Sequence, residues 1–130
     1  MTDALLDTHT LVWFAWGKPE LPGSVRAFLE DPQTILKVSI ASFWEIGIKA
    51  GLGKWNLPGG DVLALQTLVE AQGIDIVPIT VPAIHLIIQM PPHHKDPFDR
   101  IIAATALTTG SLLFGSDVIF DEYSVPRRWA

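Results

Sequence analysis

Short apolar runs alternate with longer amphipathic ones along this chain. Ala4-Leu5-Leu6 predicts a buried strand, and Asp7-Thr8 leads from it into a helix over His9–Trp16. A helix over Pro22–Glu30 follows, opened by its proline and stopped before Asp31-Pro32. Thr34–Ile40 is β-branched enough for a strand, and Ser39–Lys49 reads as a helix ending in Gly51 and Gly53. Leu63, Leu65, Leu68 and Val69 form the apolar set of a helix over Asp61–Ala71, which Gly73 stops before a strand over Ile74–Ile79. Val81–Gln89 reads as a helix ending at Pro91-Pro92. The best-marked helix is Asp96–Thr109, with Asp96 as N-cap, Pro97 in its first turn and Gly110 as the stop. Ser111–Phe114 predicts a strand, Val118–Tyr123 a short helix, and an edge strand is expected near Val125. Strands alternating with helices imply an α/β sandwich around a mainly parallel sheet.

Composition narrows the class of protein. The chain has 130 residues, 48% hydrophobic, which sets aside disorder and makes one compact domain the expectation. It has no cysteine, which excludes disulfides, thiolate zinc sites and thiol catalysis. Residues 76–94 carry no formal charge, but Pro78, Pro82, Pro91 and Pro92 interrupt them, so no membrane span is expected. Asp3 and Asp7 stand where a secretory signal carries basic residues, and the expected location is the cytoplasm. A net charge of −5 argues against a broad basic face for nucleic acid.

In open parallel sheets, ligands collect beyond the carboxyl ends of the strands. Carboxylates recur at that edge. Asp7 follows the first strand, Glu45 lies in the helix after the second, Asp99 opens the helix before the fourth, and Asp117 follows the fourth. Carboxylates brought within a few ångström repel one another, and a hard divalent cation removes the conflict. Oxygen ligands alone select Mg²⁺ or Mn²⁺ over zinc. Setting these four acids aside takes the net charge from −5 to −1, so a metal-filled pocket would accept a phosphodiester without a strongly basic face. Each acid also has a plainer role. Asp7 and Asp117 suit helix caps, Asp99 suits a first-turn position, and Glu45 with Lys49 is spaced for an i, i+4 ion pair.

LLDTH at residues 5–9, SFWEIGIK at 42–49, HKDPFDRIIAATA at 94–106 and SDVIFDEY at 116–123 resemble the PIN-domain nucleases, in particular the VapC-like toxins of bacterial toxin–antitoxin pairs. LGKWNLP at 52–58 is similar to a loop of one toxin subgroup. The resemblance implies a single PIN-like domain over residues 1–130, folded as a three-layer α/β/α sandwich. It also implies Mg²⁺ or Mn²⁺ as cofactor and endonucleolytic hydrolysis of RNA that leaves a 5′-phosphate and a 3′-hydroxyl. By motif, the catalytic and metal-binding acids are Asp7, Glu45, Asp99 and Asp117. A cognate antitoxin and a homodimer are the implied partners, and the apolar face of His9–Trp16 is a candidate antitoxin groove. The chain departs from the pattern at Gly115, where the family often carries threonine, leaving Ser116 or Thr8 to supply a hydroxyl.

Arg100 is the candidate phosphate contact at the pocket rim, whereas His93 and His94, beside Lys95, read better as a solvated loop between Pro92 and Asp96. Trp55, in a glycine-flanked loop, is the tryptophan expected to be exposed and a candidate for substrate or partner contact, while Trp44 neighbours Glu45 and is a candidate for lining the pocket. Competing readings are a PIN-like nuclease of RNA processing outside toxin–antitoxin systems and a catalytically inactive PIN-like binding module. A phosphoryl-receiver domain fits poorly, because no lysine follows Lys95 and no acidic pair follows the first strand. An Asp-x-Asp phosphatase lacks its second acid at His9.

Overall fold

The computed structural model describes residues 1–57, 61–91 and 96–129. In chain order its elements are β1 (Thr2–Leu6), α1 (Thr8–Ala15), α2 (Gly23–Glu30), β2 (Thr34–Ser39), α3 (Ile40–Gly51), α4 (Val62–Ala71) and β3 (Asp75–Val77). Then come α5 (Val81–Gln89), α6 (Pro97–Thr109), β4 (Leu112–Phe114), a 3₁₀ helix (Val118–Tyr123) and β5 (Arg127–Arg128). The strands form one parallel sheet in the order β3-β2-β1-β4-β5.

The alternation of side chains along β1 sorts the helices into two layers. Ala4 and Leu6 face a core shared with Leu11 of α1, Val25 and Leu29 of α2, Ile46 of α3 and Val69 of α4. Leu5 faces the opposite core, with Ala83 of α5, Ile102 and Ala106 of α6, and Phe120 of the 3₁₀ helix. Leu5 and Leu6 are both fully buried, which is why this central strand reads as a continuous apolar run. Each such side chain contributes roughly 1.5–3 kcal/mol by leaving water. The expected three-layer α/β/α sandwich is the observed fold.

Local chemistry fixes the element ends. Ser39 caps α3 by accepting from Ala41 N (3.0 Å), and Asp61 caps α4 by accepting from Ala64 N (2.8 Å). Gly110 closes α6 in the left-handed conformation (φ 64°). Two expectations need correction. The strand expected over Ile74–Ile79 is only Asp75–Val77, because Pro78 has no N–H to continue the ladder. The edge strand expected near Val125 is Arg127–Arg128, paired with Leu113 and Phe114 of β4. Among the described residues no helix is long and apolar enough to cross a membrane.

Candidate functional site

The chain reverses its direction of sheet growth between β1 and β4. β2 and β3 lie on one side of β1, and β4 and β5 lie on the other. At such a switch point the loops leaving the two strands part and leave a crevice at their carboxyl ends. A cavity of about 370 Å³ lies there, and Asp7, Glu45, Asp96, Asp99 and Asp117 all line it. A larger hollow of about 590 Å³, by Ile40, Phe43 and Val62, is mostly aliphatic and lacks such a cluster.

Asp7 follows β1 directly, and its backbone N–H donates to Phe114 O of β4 (3.1 Å). Its Oδ1 caps α1 by accepting from Thr10 N (2.9 Å), while the Thr10 hydroxyl donates to Phe114 O (2.9 Å). Burial pushes the Asp7 carboxyl above its ordinary pKa; hydrogen bonding by Thr10 and the proximity of His9 oppose the shift, and Glu45 adds to it. Oδ2 lies against Gly115, where an added Cβ would fall 2.5 Å from it.

Glu45 reaches the same cavity from α3 and is buried, with 3% of its surface exposed. Its Oε1 accepts from the Thr8 hydroxyl (2.6 Å), which lies 3.0 Å from the Ser42 hydroxyl. Its Oε2 accepts from Lys49 Nζ (2.7 Å). Both oxygens are engaged, as a buried carboxylate requires, and each retains a further lone pair. The Lys49 ammonium lies 4.8 Å over the Trp55 ring, and Trp55 meets the His9 ring edge-on at 5.3 Å.

The other acids come from the far side of the switch point. Asp96 caps α6 through Phe98 N (2.9 Å), and Asp99 stands half-buried in the first turn. Asp117, exposed, caps the 3₁₀ helix through Ile119 N (3.0 Å). Asp7 and Asp117 therefore cap helices and line the cavity at once, because the cap uses Oδ1 and leaves Oδ2. Glu45 and Lys49 are indeed an ion pair, but one inside the pocket and not on an open helix face. Among the described residues, no three carboxylate or histidine side chains are gathered closely enough to hold an ion by themselves.

Ser116 lines the cavity. Arg100 does not: its Nη2 donates to Ile87 O at the end of α5 (2.8 Å), and its Nε is buried with no hydrogen-bond partner among the described residues. The expected exposure of Trp55 is also corrected. Trp55 is half-buried between His9 and Lys49, and Trp44 is the exposed one, at 59%, set edge-on to Phe98 outside the cavity lining. His93, His94 and Lys95 lie outside the described residues. The cavity also draws in His9, Trp13 and Lys49, which the sequence reading did not place there. For Lys49 the i, i+4 spacing to Glu45 was the available signal.

No curated protein matches the chain by sequence. Solved structures share its fold. VapBC2 from Rickettsia felis, bound to a DNA fragment from its promoter, aligns with TM-score 0.69 at 13% identity, covering 99% of this chain and 100% of that one. VapBC-1 from nontypeable Haemophilus influenzae aligns with TM-score 0.70 at 18% identity, covering 98% and 97%. A toxin–antitoxin complex from Klebsiella pneumoniae aligns with TM-score 0.56 at 18% identity, covering 88% and 87%. Residues 4–126, nearly the whole length, match the family described as PIN domain, and the chain belongs to that family.

Proposed function

We propose that this chain is a metal-dependent endoribonuclease, the toxin of a toxin–antitoxin pair. The observation that carries the reading is the meeting of Asp7, Glu45, Asp99 and Asp117, from four separate segments, in one crevice at the switch point of a PIN-domain sheet. Burial raises the Asp7 carboxyl above its ordinary pKa and Glu45 adds to the shift, a cost of ionisation that a hard cation relieves.

The residues fit such a cation. The donor set is oxygen throughout, and Oδ2 of Asp7 lies in a cradle that any side chain at position 115 would fill. Among the described residues, the side chains do not close around an ion by themselves. That suits Mg²⁺, which keeps several of its waters and takes one or two carboxylates together with substrate phosphate; Mn²⁺ is its chemical neighbour. Asp7, Glu45, Asp99 and Asp117 would hold it directly or through water. When bound, it supplies Lewis acidity toward the phosphate and lowers the pKa of an attacking water. The Thr8 hydroxyl fixes the Glu45 carboxylate in place. The α1 cap fixes Asp7, and Ser116 offers a hydroxyl to the substrate at the cavity wall. Hydrolysis at this site would leave a 5′-phosphate and a 3′-hydroxyl.

The solved VapBC and toxin–antitoxin relatives support a protein antitoxin as partner. A small apolar hollow of about 180 Å³ beside α1, lined by Val12, Trp16 and Leu57, offers such a partner a foothold. A homodimer and a cytoplasmic location complete the proposal. Induced expression in a bacterial host tests it. Growth arrest with fragmented RNA for the wild type, and neither for Asp99→Asn, supports the reading. Arrest that survives Asp99→Asn contradicts it.

A further inference from the structure

We propose that Lys49 is the residue that binds the substrate's phosphodiester in the acidic cavity, with Glu45 and Trp55 as its positioning residues. The inference deepens the nuclease reading above and rests on it. A polyanionic strand entering a crevice lined by carboxylates needs a cation from the protein as well as any metal. Among the described residues, Lys49 is the one lysine or arginine that lines the crevice. Arg100 is turned to Ile87 O, and Arg127 is held by both oxygens of Asp121 and by Gly115 O.

Lys49 is built into place. Nζ is 2.7 Å from Oε2 of a buried glutamate and 4.8 Å over an indole face. These two contacts hold a flexible four-carbon stem in one arrangement, which lowers the entropy lost on binding. An ammonium has three donors, and one of them goes to Glu45. With its side chain 32% exposed at the crevice, Lys49 keeps donor capacity for a phosphate oxygen. A surface ion pair requires neither a buried partner nor an aromatic platform.

The test measures binding without cleavage. Full-length wild type, Lys49→Met, Lys49→Arg and Lys37→Met are titrated onto a fluorescent single-stranded RNA in EDTA over a range of KCl, with a DNA strand of the same sequence in parallel. Lys37 pairs with Asp3 (3.5 Å) outside the crevice and controls for general loss of charge. Circular dichroism and thermal melting confirm that each variant is folded. Lys49→Met is expected to weaken RNA binding roughly tenfold. It should also flatten the slope of log K against log salt by about 0.7, the value for one phosphate contact on a single strand. Lys49→Arg should restore the slope, and Lys37→Met should leave it unchanged. Equal affinity and slope for Lys49→Met and wild type, or equal losses for the Met variants at 49 and 37, overturns the proposal. Lys49-dependent binding of DNA but not RNA upholds Lys49 and removes the RNA reading. Binding of neither strand overturns both.

Discussion

The carboxylate of Asp7 lies where a side chain at position 115 would begin. A Cβ built on Gly115 falls 2.5 Å from Asp7 Oδ2 and 3.0 Å from its Cγ. Real contacts do not come so close, and Asp7 is tied on its other side by the bond from Thr10 N. The glycine is therefore needed for space and not for an unusual backbone angle. A threonine at position 115 would be incompatible with this placement of Asp7.

Gly115→Ala should accordingly push Asp7 out of its cap and away from the crevice. Overpacking of this kind costs about 1–3 kcal/mol, and loss of the cap about 0.5–2 kcal/mol. The expected result is a lowered melting temperature, with cleavage lost more severely than stability. A variant as active as wild type would show that the site does not depend on where Oδ2 lies.

Asp7→Asn separates the two duties of that side chain. Asparagine caps helices as well as aspartate does, so α1 should survive. Burial holds the Asp7 pKa above its ordinary value, so between the two values the folded chain keeps a proton that the unfolded chain has released. Stability therefore falls as pH rises through that window and stays lower above it. Thermal melts across the acid range should show this decline in wild type and a flatter profile in Asp7→Asn, which melts at or above wild type at neutral pH. Cleavage should drop at least about a hundredfold, the scale on which metal sites respond to lost support.

Thr8→Val keeps the shape of the side chain and removes the hydroxyl that Glu45 Oε1 accepts. The buried carboxylate loses a partner, at a cost of about 1–3 kcal/mol. Chemical denaturation should show this loss, and activity should fall with it. Unchanged stability would mean that water replaces the hydroxyl at no cost.

Arg127 ties β5 to the 3₁₀ helix through Asp121 (3.0 Å) and to the loop after β4 through Gly115 O (3.1 Å). The guanidinium holds the Asp121 carboxyl below its ordinary pKa, so this pair contributes above that ordinary value and is lost as pH falls toward the depressed one. Asp121→Asn should remove only the pair. Arg127→Ala also frees the Gly115 carbonyl, so it should lower both melting temperature and cleavage further than Asp121→Asn. Equal effects of the two variants would argue against a role for the Gly115 contact.

Much of this was legible in the residues because the relevant interactions are local. Asp96, Pro97 and Gly110 bound α6 by contacts within a turn, and Asp7 and Asp117 read as caps at the ligand edge of the sheet because they cap helices and line the crevice there. The strand-end positions of the acids then follow from sheet topology. Contacts between distant segments were not legible. Nothing near Arg100 in sequence announces that Ile87 O takes its guanidinium, and nothing in the Trp55 loop shows that it folds back onto His9 and Lys49. Lys49 was visible only as half of an ion pair, since burial of Glu45 depends on Thr8, which is 37 residues away in the chain.

Cleavage of transfer and ribosomal RNA by purified protein, freed of antitoxin, tests the central claim most directly. Parallel reactions contain Mg²⁺, Mn²⁺ or EDTA, with Asp99→Asn as the matched variant. That substitution leaves the Asp96 cap of α6 in place and costs about 0.3–1 kcal/mol of dipole stabilisation, so the variant should fold. The account predicts discrete fragments that require metal and are absent with Asp99→Asn. Fragments that form in EDTA, or that persist with the folded variant, would contradict it.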